Sequence, residues 1–191
     1  MNLPPKVTDR AFDRLSGGAH GGTATSSIEP EAIAAVRRAL DDCFHDALLF
    51  VDGVSSVGSI DFRMDDWGVD LAVTGSQKGL MSPAGMGMLA VSEKALRAAQ
   101  TSKMRRAFFD LADMLKQHDL GSFPYTPPVP LLHGLKAALN RMMDEGLPNI
   151  HARHKRLANG VRRAVAAWGL DLCAEHPTLY SDTVTAIRTP E

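Results

Sequence analysis

Cysteine is scarce in this chain: there are two, Cys43 and Cys173, far apart in sequence. That excludes a disulfide framework and any cysteine-based metal spacing, and it reads as a protein of a reducing compartment, the cytoplasm. Charge of one sign is also lacking. Lys and Arg number 21 against 22 Asp and Glu, for a net charge of -1. Nothing in that balance suggests a nucleic acid or an anionic membrane as partner. No apolar run approaches the length of a transmembrane helix. The start, MNLPPKVTDR, carries charge but no apolar centre, so it is not a secretory signal. Internal repeats and low-complexity tracts are missing as well. What remains is a composition of 45% hydrophobic and 23% charged residues, that of an ordinary soluble globular protein. Its 191 residues suffice for one domain and part of a second.

The informative stretch runs from Leu48 to Met88. Two apolar runs in it carry polar residues at their ends: Leu48-Leu49-Phe50-Val51 ends in Asp52, and Leu71-Ala72-Val73-Thr74-Gly75 ends in Ser76-Gln77-Lys78. Short apolar runs bounded by turn signals read as buried parallel strands, and open α/β sheets bind ligands outside the carboxyl ends of such strands. An acid and a lysine are thus offered to one crevice. Pyridoxal phosphate chemistry needs that pair, a lysine for the Schiff base and a carboxylate against the pyridine nitrogen. An amine attacks only when neutral, which an apolar site favours, and Lys78 sits among Gly75, Gly79, Leu80 and Met81. The plain structural alternatives are a turn aspartate and a surface lysine. The acids Asp61, Asp65, Asp66 and Asp70 have no calcium-loop spacing and read as solvated turn residues.

The ordered segment VDGVSSVGSIDFRMDDWGVDLAVTGSQKGLMSPAGMG resembles the cofactor-binding core of class V aminotransferases, pyridoxal phosphate enzymes of fold type I. Within that class it is most like the serine–glyoxylate and alanine–glyoxylate branch, and the likeness extends from about His20 to the C-terminus. The resemblance implies that Lys78 is the Schiff-base lysine and proton carrier and that Asp52 is the partner of the pyridinium nitrogen. It also implies that Val54 packs on the ring, that Gln77 and Ser76 hold the cofactor with Gln77 on its phosphate, and that Thr23 supplies a hydroxyl to the ring. In Gly121-Ser122-Phe123-Pro124-Tyr125-Thr126-Pro127-Pro128, Thr126 stands where the family reaches the partner subunit's cofactor phosphate across a homodimer interface, and Phe123 takes the neighbouring aromatic position. Without the resemblance, that segment is a proline-rich connector, and the turn around Thr23 is a helix cap. Several departures stand out. Gly22 replaces the family's usual Glu. No glycine-rich phosphate loop or stacking aromatic precedes His20, and residues 1–19 match nothing in the family. Relatives carry a substrate-carboxylate arginine in a later part of the small domain; Arg188 is not given that role. Family members are roughly twice this length, as a two-domain enzyme requires, so the chain reads as a fragment truncated at both ends.

The expected fold class is α/β: part of a fold type I large domain, mainly parallel sheet with flanking helices, over residues 1–128, then a long connecting helix and the start of an α+β small domain over 129–191. Helical periodicity predicts helices over Ile28–Asp42, from Ser92 as N-cap, over Asp110–Lys116, Val129–Glu145 and Asn149–Trp168, with Arg37, Arg38 and the basic side of the last helix solvated. Strands are expected at Leu48–Asp52, Leu71–Gly75, Met88–Val91 and from Leu170 to Cys173.

The expected function is transfer of an amino group from serine or alanine to glyoxylate or a similar 2-oxo acid. A reading of a different class is a catalytically incompetent fragment that keeps Asp52 and Lys78 without the groups that orient cofactor and substrate. A third keeps the cofactor and changes the reaction, as in cysteine desulfurases; those need a mobile loop cysteine, whereas Cys173 stands in a predicted strand.

Overall fold

The computed structural model describes residues 30–190. Thr23, His20 and the turn around them lie outside the described residues. The first helix, α1 (Pro30–Asp42), begins with a proline at a position where the helix needs no N–H. It buries Ile33 and leaves Arg38 in solvent.

Three strands follow: β1 (Phe50–Asp52), β2 (Leu71–Gly75) and β3 (Gly87–Val91). They form one mixed sheet in the order β1-β2-β3. β1 runs parallel to β2 with Asp52 beside Val73, and β3 runs antiparallel to β2 with Gly87 beside Gly75. β2 is central, as its apolar composition predicts. β1 starts at Phe50 rather than at Leu48 because the Leu49 N–H donates to the Asp70 carboxylate at 2.8 Å instead of entering a ladder.

Under the sheet, Ile33, Val51, Val69 and Ala72 make one buried cluster, with Leu49, Phe62, Met64 and Trp67 packed against it. Phe62 and Trp67 meet edge to face at 5.1 Å. Asp70, expected to be solvated, is instead buried at the start of β2. Besides the Leu49 N–H it accepts from the Ser92 hydroxyl at 3.1 Å and pairs with Arg37 at 3.3 Å and Lys94 at 3.7 Å. Arg37 is therefore not a solvated residue either. A buried carboxylate must be paired and hydrogen-bonded, and here it ties α1, the approach to β1 and the next helix to one point.

That next helix is α2 (Glu93–Thr101), capped by the Ser92 hydroxyl on the Ala95 N–H as predicted. α3 (Leu111–Asp119) follows, capped by Asp110 and three residues longer at its C-terminus than its pattern suggests. α4 (Val129–Glu145) and α5 (Leu147–Ala167) are joined by Gly146, whose φ of +81° suits glycine. α5 starts two residues before the predicted Asn149, because Pro148 is accommodated in the first helical turn. Met142 and Ile150 of this pair bury Leu80 between them, with Met88 and Leu135 alongside.

The basic side of α5 is only partly solvated. Arg153 grips Glu145 through two hydrogen bonds of 2.7 and 3.0 Å. Arg162 reaches the Ser181 carbonyl at 2.8 Å and Asp182 at 3.1 Å, with its guanidinium over the Tyr180 ring. Lys155, Arg156 and Arg163 remain exposed. The chain closes in an antiparallel ribbon of β4 (Asp171–Leu172) and β5 (Ile187–Arg188), with Cys173 just past β4 and exposed.

Candidate functional site

The carboxyl ends of β1 and β2 lie side by side, as two parallel neighbours about 4.8 Å apart must. Asp52 closes β1 with an exposed side chain. Its Oδ1 accepts the Val54 N–H at 3.0 Å, an aspartate turn that fixes the carboxylate's direction. No hydrogen bond to its Oδ2 occurs among the described residues. The Gly53 N–H continues the ladder to the Val73 carbonyl at 2.9 Å, and Ser56 and Val57 then wind back onto the Gly53 carbonyl. Val54 is half-buried within this turn.

At the end of β2, Gly75 and Ser76 are buried while Gln77 and Lys78 project into solvent. The Gln77 side chain folds back along the backbone: a Cβ placed on Gly75 would lie 2.9 Å from Gln77 Oε1. The connection from Ser76 to Met86 is knotted at its neck. Ser76 donates its hydroxyl to the Pro83 carbonyl at 2.6 Å and its N–H to the Met86 carbonyl at 3.0 Å, and its carbonyl accepts the Ser82 N–H at 2.9 Å. Lys78 opens a tight turn whose carbonyl accepts the Met81 N–H at 2.9 Å, with Met81 at φ 53°.

The turn after β1 and the connection after β2 are packed backbone on backbone. A Cβ on Gly79 would lie 2.2 Å from the Val57 carbonyl oxygen and 2.6 Å from Ser59 Oγ. Gly58, at φ +82°, meets Gly79 and the Met142 methyl group in the same way, at 3.1 Å. Sequence reasoning took these glycines as loop composition and missed their contact; the signal available to it was a glycine immediately after the lysine.

The expected apolar setting of Lys78 is only half present. Leu80 is buried beneath the connection, but Lys78 is exposed and so is Met81. Thr126 and Phe123 do not join Asp52, Gln77 and Lys78 in this protomer. They line a separate concavity of about 740 Å³ formed by Gly121 to Pro127 alone. At its rim Phe108 meets Phe109 edge to face at 4.3 Å and the tilted Tyr125 ring at 4.4 Å, and all three stay exposed. Groups with displaced titration lie elsewhere, among them His154 and Glu145 on the α4–α5 pair. His154 is pushed down by burial and by the charges of Arg153 and His151, and Glu145 is held down by its hydrogen bonds from Arg153. Among the described residues no group of three or more His, Cys, Asp or Glu side chains could hold a metal ion.

The donor set at the strand ends is specific in kind. A carboxylate with one oxygen committed and the other open suits a protonated ring nitrogen. An amine one strand away suits an aldehyde, and an uncharged amide beside it suits a phosphate. Asp52, Lys78 and Gln77 therefore fit pyridoxal phosphate in chemistry.

Residues 30–183 match the family model described as aminotransferase class-V. The chain is 58% identical over 172 residues to an L-aspartate–glyoxylate aminotransferase of Paracoccus denitrificans, covering 90% of this chain and 43% of the relative. It is 56% identical over 174 residues to a serine–glyoxylate aminotransferase of Hyphomicrobium methylovorum, covering 90% of this chain and 42% of the relative. The chain thus spans less than half the length of these curated relatives. Among solved structures it resembles an alanine–glyoxylate aminotransferase of Nostoc sp., with a TM-score of 0.74 at 28% identity over 82% of this chain and 41% of that one. An aspartate aminotransferase of subgroup IV from Thermus thermophilus gives a TM-score of 0.74 at 30% identity over 83% of this chain and 44% of that one. The α/β fold is accordingly part of the fold type I large domain, and pyridoxal phosphate is the cofactor that the family implies. The chain belongs to the class V aminotransferase family.

Proposed function

We propose that this chain carries the lysine-bearing half of an aminotransferase site that moves an amino group from serine, alanine or aspartate to glyoxylate or a similar 2-oxo acid. The observation that carries the reading is Asp52 at the end of β1 and Lys78 three residues past the end of its parallel neighbour β2, with the loops that follow pressed together at Gly58 and Gly79. Relatives named for aspartate–glyoxylate and serine–glyoxylate transfer support the substrate class. When bound, pyridoxal phosphate supplies an electron sink for the amino acid's α-carbon. The residues then divide the work. Lys78 Nζ would hold the cofactor's aldehyde and would carry the substrate's α-proton. The Asp52 carboxylate, its direction fixed by the Val54 N–H, would face the protonated ring nitrogen. Gln77 donates its amide to the phosphate, and Val54 packs against the ring. Ser76 stands next to the phosphate contact, and Thr126 serves the site of the second protomer in a homodimer. The exposed aromatic group at Phe108, Phe109, Phe123 and Tyr125 supports such an association. The exposed, unpaired Cys43 and Cys173 fit a cytoplasmic location. Among the described residues no helix is long and apolar enough to cross a membrane.

The exposure of Lys78 favours a second reading, in which this polypeptide by itself does not catalyse. One experiment separates the two. The chain is mixed with pyridoxal phosphate, reduced with borohydride and mapped by mass spectrometry. Label on Lys78 alone, followed by turnover of glyoxylate with serine, alanine or aspartate as donor, is the expected result. Label scattered over surface lysines would overturn the proposal.

A further inference from the structure

Ser76 has no exposed surface at all, although it stands next to two exposed residues of the candidate site. Its hydroxyl donates to the Pro83 carbonyl at 2.6 Å and accepts the Met86 N–H at 3.3 Å. Its backbone N–H donates to the Met86 carbonyl at 3.0 Å, and its carbonyl accepts the Ser82 N–H at 2.9 Å. A serine hydroxyl has one proton to give, and here that proton is spent on Pro83. We propose that Ser76 is a positioning residue, a clasp that closes the connection from β2 to β3 and thereby fixes the direction in which Gln77 and Lys78 leave the sheet. The proposal refines the cofactor reading above and rests on it for the role of Lys78.

The geometry carries the argument. β2 and β3 are in register at Gly75 and Gly87, so Ser76 and Met86 form the first pair beyond the ladder. Past that pair the chain has no sheet to hold it. The hydroxyl supplies the missing tie by gripping Pro83, which has no N–H of its own, through the proline's carbonyl. The Ser82 hydroxyl, bonded to the Leu80 carbonyl at 3.3 Å, stiffens the far side. Lys78 lies two residues from the clasp on a flexible four-carbon stem. A small backbone rotation at Ser76 displaces Nζ by a large distance, and about 1 Å of misplacement costs about a hundredfold in rate. An uncharged clasp also leaves the lysine's surroundings electrically unchanged. A phosphate ligand at this position would instead have to turn its proton away from Pro83 and into the crevice.

The test compares the intact chain with S76A. Without cofactor, amide exchange across residues 76–86 is expected to quicken about tenfold in S76A, the effect of one lost hydrogen bond. With aldehyde and borohydride, the preference for labelling Lys78 over the exposed Lys155 is expected to fall by a similar factor of about ten, equally for pyridoxal phosphate and for pyridoxal. A loss confined to pyridoxal phosphate would make Ser76 a phosphate ligand and overturn the proposal; unchanged exchange and unchanged labelling would overturn it too. If S76A does not fold, S76C, which keeps the volume and a weak donor, is read in the same two ways. Should the intact chain itself show no preference for Lys78, the cofactor reading fails on its own, and the exchange rates still decide whether Ser76 is the clasp.

Discussion

Gly58 and Gly79 touch backbone to backbone: a Cβ on Gly58 would lie 3.1 Å from both the carbonyl carbon and the carbonyl oxygen of Gly79. The contact joins two turns that follow different strands. One carries Asp52 at its start, and the other carries Lys78. Any side chain between them would part the two loops, so the glycines set how closely an acid and an amine approach.

Gly79→Ala is accordingly expected to destabilise the chain by about 2 kcal/mol, since its Cβ would meet the Val57 carbonyl oxygen at 2.2 Å and backbone must move. Gly58→Ala is expected to cost about 1 to 2 kcal/mol through its φ of +82° alone. Urea unfolding measures both. Reductive labelling should show selectivity for Lys78 falling in Gly79→Ala, and unchanged selectivity would contradict the role given to the contact.

Asp70 sits at the opposite end of β2, where its carboxylate accepts from the Leu49 N–H and Ser92 Oγ and pairs with Arg37. Among the described residues, Asp70→Ala leaves the buried guanidinium of Arg37 with only the exposed Asp41 as partner. The expected loss is about 3 kcal/mol, as for other broken buried pairs. Because the site is at the far end of the strand, Lys78 labelling measured well below the melting temperature should not change. A drop in that selectivity would show that the two ends of the sheet are coupled.

Arg162 holds the segment before β5 through the Ser181 carbonyl and Asp182 while lying over Tyr180. Lysine can replace the charge but not the planar fork. Arg162→Lys is therefore expected to free residues 180–188 nearly as much as Arg162→Ala, with local amide exchange rising about tenfold. Full protection in the lysine variant would mean that charge alone secures the segment.

Stability is expected to fall on acidification, and two groups on the helix pair give the sign. His154 titrates below its ordinary 6.5 because burial, Arg153 and His151 disfavour its charged form. Below pH 6.5 the unfolded chain takes up a proton that the folded chain refuses, so stability is full above that pH and declines toward the lowered value. Glu145 titrates below its ordinary 4.5, first through its hydrogen bonds from Arg153, so its contribution is present above 4.5 and is lost as pH falls through the lowered value. Urea midpoints recorded from pH 7.5 downward should decline, and His154→Gln should flatten the upper part of the decline. An unaltered profile in that variant would remove His154 from the account.

Much of the fold could be read in the order of residues. β2 spans Leu71–Gly75 and α4 spans Val129–Glu145 as their patterns predict, because an apolar run between turn signals and a 3.6-residue stripe each have one economical way to bury themselves. Asp52 at the end of β1, and Lys78 just past the end of β2, were legible for the same reason, since the apolar runs stop there. Family membership follows from the ordered motif, which local chemistry alone would not have picked out from a turn aspartate and a surface lysine.

Tertiary structure alone decided the rest. Asp70 and Arg37 look like surface charges in the sequence, because whether a charge is buried depends on a partner 33 positions away. Ser76 reads in the sequence as one polar residue before the lysine; its hydroxyl bond to the Pro83 carbonyl exists only because the chain returns toward β3. Gly58 and Gly79 look like loop flexibility until the two loops are seen to meet. Local sequence determines periodicity and strand ends, which depend on near neighbours. Which polar group is consumed and which is left free for chemistry depends on contacts between residues far apart in the chain, and those exist only once it has folded.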